Sequence, residues 1–327
     1  MKNNNALLFG MPNCQRLAQK ISKIIDLPLT NLTVTKFADG EIMPVSDEAV
    51  RGKDVYIIAS TSRPVNNNLM ELYLFIDSLK RASAKSINVA LTYYGYARQD
   101  RKASGRQPIG AKLVADFLQT AGASKIIAVD LHNAAIQGFF DIPIDDIRAQ
   151  FTLAKAIKES HEEFIVVSPD HGGTVRARAL AELLSNDIKI SIIDKRRVGT
   201  NKTEVMGLIG EVKDQNAVII DDIIDTGGTI IKAAETLKAN GAKKIVIAAS
   251  HGIFSKGFEM FEQNPAIEKV IITDSIDNYD LAKNFKKLEV VSLDYFLGNI
   301  INCSIKGTSI SKLYDKFTNE IKQINAK

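Results

Sequence analysis

The segment Val218-Ile219-Ile220-Asp221-Asp222-Ile223-Ile224-Asp225-Thr226-Gly227-Gly228-Thr229 gathers three carboxylates, two hydroxyls and a double glycine around an apolar run. The run ending at Ile220 reads as a strand buried on both faces, and residues 230–240 read as the helix that follows. Gly227 and Gly228 admit backbone geometries closed to other residues and let amides approach an anion. Thr226 and Thr229 add hydroxyls at a helix N-terminus, where the dipole favours negative charge, so one phosphate fits there. Asp221 and Asp222 can accept hydrogen bonds from vicinal hydroxyls, which a phosphate pocket alone does not require. The combination points to a sugar phosphate. The plainer alternative is an ordinary strand-to-helix turn. A Walker A loop is excluded, because no Gly-Lys-Ser/Thr closes the segment.

Other segments carry related chemistry. In Phe37-Ala38-Asp39-Gly40-Glu41 an extended chain puts Phe37, Asp39 and Glu41 on one face. A ring there can stack on a base such as adenine while a carboxylate takes a hydrogen bond from an exocyclic amine. A core Phe beside a Gly turn is the plainer alternative. Tyr93-Tyr94-Gly95-Tyr96-Ala97-Arg98-Gln99-Asp100-Arg101-Lys102 follows a strand, which sets aromatics, an amide and cations at the carboxyl end of a parallel sheet, where ligands bind in such folds. Arg98 can grip phosphate with two N–H groups. Val129-Asp130-Leu131-His132 ends another strand, with Asp130 and His132 on one side of its tip. Ser168-Pro169-Asp170 ends a third and offers an oxygen, the ligand magnesium prefers, whereas a lone His is more often structural. Asp194-Lys195-Arg196-Arg197 places three adjacent cations that repel one another unless an anion joins them.

The elements that must position these residues are legible as alternation. Strand-like runs at 55–60, 87–93 and 126–131 alternate with helical patterns at 69–81 and 110–120. Runs at 164–168, 188–193, 218–220, 245–249 and 270–273 alternate with helices at 175–185 and 230–240. This is the signature of parallel sheets covered by helices. Both halves carry a Gly-ended helix before a strand, at Gly122 and Gly241, a weak sign of duplication. The acidic stretch 141–150, broken by Pro143, is the boundary candidate, giving domains 1–148 and 149–327. The lysine-rich tail after Lys306 reads as a terminal amphipathic helix that packs back on the first domain.

At 327 residues the chain has room for about two domains. A net charge of +4 is too small to argue for a nucleic-acid partner, and the basic residues lie instead in short clusters (98–106, 176–178 and 195–197) that suit a compact polyphosphate. Cys14 and Cys303 define neither a disulfide framework nor a zinc site, and fit a reducing compartment. The N-terminus lacks the pattern of a secretory signal, and no apolar run reaches the length of a membrane span, so the expected location is cytoplasmic.

The Asp221–Thr229 string resembles the phosphoribosyl-pyrophosphate loop shared by type I phosphoribosyltransferases and ribose-phosphate pyrophosphokinases. The Phe37–Glu41, Tyr93–Lys102, Val129–His132, Ser168–Gly173 and Asp194–Arg197 strings, in that order and spacing, resemble the second family nearly from end to end. The resemblance implies an α/β fold of two similar domains, each a mainly parallel sheet flanked by helices, as in type I phosphoribosyltransferases. The first would be the ATP side and the second would take ribose 5-phosphate. It implies ATP binding by Phe37, Asp39, Gly40, Glu41, Arg98 and Gln99, and Mg2+ at His132 and Asp170, with Asp130 beside them. Ribose 5-phosphate would bind at Asp221, Asp222, Asp225, Thr226, Gly227, Gly228 and Thr229. Lys195 would be catalytic, and Arg197 would serve both catalysis and the ribose phosphate. The implied reaction moves the β,γ-diphosphoryl group of ATP to the C1 hydroxyl of ribose 5-phosphate, and AMP leaves. A homo-oligomer, hexameric in the family, with phosphate and ADP as effectors, is also implied. A non-catalytic regulatory paralogue is a rival, although His132, Asp170, Lys195 and Arg197 are all present. A phosphoribosyltransferase is another, but it leaves residues 37–132 without a purpose. The chain departs from the family pattern at Ser104, at Gly110 in place of a usual Thr or Ser, at His171 in a usually apolar position, and at Gly252, where Pro is usual.

Overall fold

The structure is a computed structural model that describes residues 5–185, 189–197 and 203–324, with the backbone alone at 195–197 and 203–206. The chain forms two compact units: Met1–Arg148 with Ser275–Asp277 and Leu293–Ser309, and Ala149–Asp274 with Asn278–Ser292 and Ile310–Lys327.

The first unit is built from β1 (Ala6–Gly10), β2 (Leu29–Thr30), β3 (Leu32–Lys36), β4 (Ile42–Ser46), β5 (Asp54–Ser60), β6 (Ser86–Tyr93), β7 (Lys125–Val129) and β8 (Ile144–Ile147), with helices α1 (Gln15–Ile25), α2 (Val65–Arg81) and α3 (Gly110–Ala121). A six-stranded sheet runs β2-β1-β5-β6-β7-β8, and each of its pairings is parallel. Strands buried on both faces explain why β5 and β6 read as unbroken apolar runs rather than alternating ones. Helix α2 turns Leu69, Leu72, Phe75, Ile76 and Leu79 inward, a helical stripe that packs on that sheet. The antiparallel hairpin β3–β4 stands as a separate two-stranded ribbon. The sequence reading passed over β1, α1 and this hairpin. It also took 141–150 only as a boundary, whereas Ile144–Ile147 pairs with β7. The helix Asp294–Lys306 completes the unit on α1, and Gly298 lets it approach: a Cβ there would lie 3.2 Å from Ile24 Cγ2.

The second unit comprises α4 (Gln150–Glu159), β9 (Ile165–Ser168), α5 (Thr174–Leu184), β10 (Ile190–Arg197), β11 (Thr203–Ile209), β12 (Ala217–Ile224), α6 (Gly228–Ala239), β13 (Ile245–Gly252), α7 (Glu259–Glu262), β14 (Lys269–Thr273), α8 (Tyr279–Ala282), β15 (Leu288–Val291) and, beyond α9 (the helix Asp294–Lys306 of the first unit), α10 (Ile310–Gln323). The sheet order is β11-β10-β9-β12-β13-β14-β15, and only the β10–β11 pair is antiparallel. The winding reverses between β9 and β12, the position at which open α/β sheets form a crevice at their carboxyl ends. The tail does not dock as expected. Helix α10 packs on α4 and α5 in this unit, with Tyr314 stacked on Phe151 at 5.3 Å between ring centroids and Phe317 at 5.9 Å. It is α9 that joins the first unit.

An aromatic cluster supports the carboxyl end of this sheet. Phe254, Phe258 and Phe261 are buried, with centroids 5.1–5.7 Å apart, and Phe285 adds a fourth ring at 5.1 Å from Phe258. The departure at Gly252 belongs here: a Cβ would lie 2.5 Å from Phe254 Cε2 and 2.7 Å from Ile272 Cδ1. Phe258→Ala should therefore cost about 3–5 kcal/mol, the usual effect of emptying a buried phenylalanine site. A lowered urea midpoint with an unchanged slope is the expected result.

Candidate active site

The candidate residues fall at strand ends in each unit, after β6 and β7 in the first and at β9, β10 and β12 in the second. In the second unit, β12 runs to Ile224 rather than stopping at Ile220, so Asp221 and Asp222 are strand residues and not loop residues. They are held by a residue that the sequence reading had noted only as part of a basic cluster. Arg176, in the first turn of α5, places Nη1 3.5 Å from Oδ1 of both Asp221 and Asp222. Asp222 is almost fully buried, whereas Asp221 keeps about a quarter of its side chain exposed. Burial pushes the Asp221 carboxyl well above the usual carboxylate range, and the neighbouring Asp222 charge adds to this, while Arg176 opposes both. The signal available in the sequence was position. Arg176 follows the Gly172-Gly173 turn at the end of β9, on the strand next to β12.

Asp225 to Thr229 then turn the chain into α6. Gly227 is the N-cap, with φ of +81°, and a Cβ there would lie 2.5 Å from Phe261 Cζ. Only glycine meets both conditions. At Gly228, by contrast, a Cβ would meet nothing within 4 Å, so the second glycine leaves open space at the helix start. No side chain caps α6, and its first-turn amides, with exposed Thr226 and Thr229 beside them, form an anion-binding end of a twelve-residue helix. The loop after β13 straps this turn through its backbone. Ile253 N–H donates to the Ile224 carbonyl at 2.8 Å, and Ser255 N–H to the Asp225 carbonyl at 3.2 Å.

At the end of β9, Asp170 is exposed, and its Oδ1 accepts the Gly173 amide at 3.0 Å. His171 instead reaches Asp194 on β10, with Nε2 2.9 Å from Oδ1. Strand β10 continues past 193 through Arg197, paired with β11 as Lys195↔Val205 and Arg197↔Thr203 after a register shift at Asp194/Lys195. The side chains of Lys195 and Arg197 lie outside the described residues, as do residues 198–202.

In the first unit the loop after β6 is anchored from within. Tyr94 Oη donates to the Ala111 carbonyl at 2.8 Å, and Gly95 N–H donates to Thr61 Oγ1 at 2.6 Å. Arg98 and Gln99 are exposed above these anchors, and the Gln99 carbonyl takes the Ala111 amide at 3.1 Å. Gly110 has a reason here: a Cβ would lie 2.6 Å from Gln99 Oε1, so this departure makes room for the Gln99 amide. Strand β7 ends at Val129, and Asp130 turns with φ of +44°. The alternation expected to put Asp130 and His132 on one side therefore fails at Asp130. The two loops are nonetheless tied, because Asn133 Nδ2 donates to Asp100 Oδ2 at 2.6 Å. Phe37–Glu41 is likewise not extended. It is the tip of the β3–β4 hairpin, with Phe37 N–H bonded to the Glu41 carbonyl at 2.8 Å and Gly40 at φ of +96°. Phe37, 45% exposed, Asp39 and Glu41 all face solvent.

Among the described residues no group of three or more His, Cys, Asp or Glu forms a metal cage. Magnesium does not need one, since it keeps waters and often takes only one or two carboxylates along with substrate phosphates. The exposed Asp170 carboxylate, with one oxygen oriented by a backbone amide, fits that donor set.

A mainly parallel sheet with this switch-point loop defines a phosphoribosyltransferase-type α/β protein. Comparison with known proteins narrows the class. Residues 6–122 match the family model of the N-terminal domain of ribose phosphate pyrophosphokinase, and residues 141–274 match that of the phosphoribosyl transferase domain. The ribose-phosphate pyrophosphokinase of Mycoplasmopsis pulmonis is 61% identical over 97% of this chain and 99% of its own length. That of Staphylococcus aureus is 46% identical over 96% and 98%. The crystal structure of phosphoribosylpyrophosphate synthetase from Mycobacterium smegmatis superposes with a TM-score of 0.84 at 40% identity, covering 93% of this chain and all of that one. The chain belongs to the ribose-phosphate pyrophosphokinase family.

The raised Asp221 carboxyl has a stability consequence. Below about pH 4 the group is protonated both folded and unfolded, and it costs nothing. As pH rises from the unfolded value toward the higher folded one, the unfolded state ionises first and stability is lost, the full loss being reached above the folded value. Asp221→Asn should thus melt above the native chain at neutral pH, by roughly 1 kcal/mol of added stability, with the difference vanishing toward pH 4. Calorimetry across that range tests this, and a pH-independent difference would rule out the charge explanation.

Proposed function

We propose that this enzyme makes 5-phosphoribosyl 1-diphosphate from ATP and ribose 5-phosphate, with its first unit as the ATP side and its second unit holding the sugar phosphate. The observation that carries the reading is the end of β12, where a carboxylate pair precedes an uncapped helix start with open space at Gly228. A ribose 5-phosphate molecule satisfies both parts. Its 5-phosphate takes the amides and hydroxyls of 226–229, and its 2- and 3-hydroxyls donate to Asp221 and Asp222, with Asp225 at the turn between.

On the ATP side, Arg98 and Gln99 supply cation and amide, and Phe37 with Asp39, Gly40 and Glu41 supplies an exposed ring and acceptors for the base. Mg2+, when bound, neutralises phosphate charge, and Asp170, His132 and Asp130 are the residues we assign to it. The C1 hydroxyl oxygen bonds to the β-phosphorus while the bond from that phosphorus to the α-phosphate oxygen breaks. AMP departs and the hydroxyl proton is lost. Lys195 and Arg197 spread the negative charge that develops, so catalysis rests on positioning and charge neutralisation. Cys14 and Cys303, neither in a disulfide, suit the expected cytoplasmic location.

The purified chain given Mg-ATP and ribose 5-phosphate should yield AMP one-for-one with phosphoribosyl pyrophosphate, read by phosphorus NMR. ADP as the nucleotide product would overturn the reading. Lys195→Ala should lower turnover by roughly 10³-fold or more with the melting temperature intact, the scale of losing a transition-state cation in phosphoryl transfer. Near-normal turnover would remove Lys195 from the mechanism.

A further inference from the structure

Strand β10 outruns its neighbour in the sheet. Its pairing with β9 ends at Ile192↔Ser168, and from there through Arg197 it is paired with β11 among the described residues. Residues 193–197 and 203–208 therefore form a two-stranded arm that extends beyond the end of β9 and carries Lys195 and Arg197. A two-stranded ribbon is marginally stable by itself, so its direction depends on what fixes its root. The register shift at Asp194/Lys195 lies at that root, and such a shift bends a strand and re-aims the side chains that follow it.

Helix α6 lies against β11, and on the β10 side a side-chain bond ties the arm to the body of the unit. Asp194, the last β10 residue before the shift, has its Oδ1 2.9 Å from Nε2 of His171. A carboxylate only accepts, so Nε2 carries the hydrogen. His171 comes from the turn after β9, and that turn is itself fixed. Ser168 Oγ donates to the Asp170 carbonyl at 2.6 Å, the Gly173 amide to Asp170 Oδ1 at 3.0 Å, and Thr174 Oγ1 to the His171 carbonyl at 3.0 Å. The imidazole thus spans from a fixed turn to the residue at which the arm bends. With side chains 59% and 44% exposed, the pair contributes little to global stability, and its importance lies in where it is.

We propose that His171 is a positioning residue: through Asp194 it braces the root of the β10–β11 arm and so sets the direction of the backbone that carries Lys195 and Arg197. The inference rests on the catalytic reading of those two residues given above. A misplacement of about 1 Å is enough to cost rate when catalysis depends on positioned charge.

Amide hydrogen exchange of the free chain, together with turnover of Mg-ATP and ribose 5-phosphate, tests this on the native chain, His171→Leu and His171→Gln. Leu keeps side-chain bulk without a donor, and Gln restores an N–H that can reach Asp194. In His171→Leu the amides of 195–197 and 203–206 should exchange about fivefold faster and kcat should fall about fivefold, the worth of one ordinary hydrogen bond. The melting temperature, the KM for ATP and the Mg2+ requirement should stay as in the native chain, and His171→Gln should recover both losses. Asp194→Ala should match His171→Leu, and the double variant should lose no more than either single one. Exchange in His171→Leu equal to the native rate would remove the brace and overturn the inference. Faster exchange with native turnover would overturn it as well, as would a raised Mg2+ requirement, which places the effect at Asp170. A native chain that forms no AMP would instead refute the catalytic reading, and with it the positioning role, while the exchange rates still decide whether His171 braces the arm.

Discussion

Two adjacent like charges at the end of a buried strand set the terms for the second unit. Asp222 is nearly buried and Asp221 half-buried beside it, so neither can ionise freely without help. Arg176 supplies that help from the adjacent helix, but at 3.5 Å to each carboxylate it shares one charge between two. A carboxylate pair offers more acceptor positions than one guanidinium fills. Neutral hydroxyl donors can occupy them without adding charge, which is why a vicinal diol suits this place better than a second cation would. The acceptors are held in place before any ligand arrives, and little reorganisation is left to oppose binding.

The Asp221–Thr229 turn was legible because its parts are contiguous: carboxylates, threonines and glycines fall within one short string. The parallel sheets were legible for a related reason, since strands buried on both faces leave unbroken apolar runs. What escaped was local or distant. Strand β12 outran its apolar run because Asp221 and Asp222 stay in the ladder, where polarity suggested a loop. The alternation used to align Asp130 with His132 does not extend that far, because β7 ends at Val129 and Asp130 has a positive φ, and nothing in Val129-Asp130-Leu131 announces that. The Phe37–Glu41 string was read as extended, but the Gly40 turn folds it into a hairpin tip. Arg176 was missed as a partner because its role depends on β9 and β12 being neighbours across 50 residues of chain, a fact of topology.

The two ends of the second sheet divide the work differently. The carboxyl end presents backbone amides, a strapped loop and a glycine turn. At the amino end a cavity of about 1270 Å³ is lined by cations and carboxylates in equal number among the described residues. Cavity size and chemical organisation point in opposite directions here.

Gly252 and Phe254 constrain each other through a contact of 2.5 Å that any Cβ at residue 252 would make. In evolutionary terms this is an ordered path. A side chain at 252 has to follow, not precede, a smaller residue at 254, because both would claim the same volume. The same ring lies against Phe258 and Phe261, and Phe261 in turn fills the space beside Gly227. A change at the end of the neighbouring strand is therefore felt in the wall behind the Asp221–Thr229 loop.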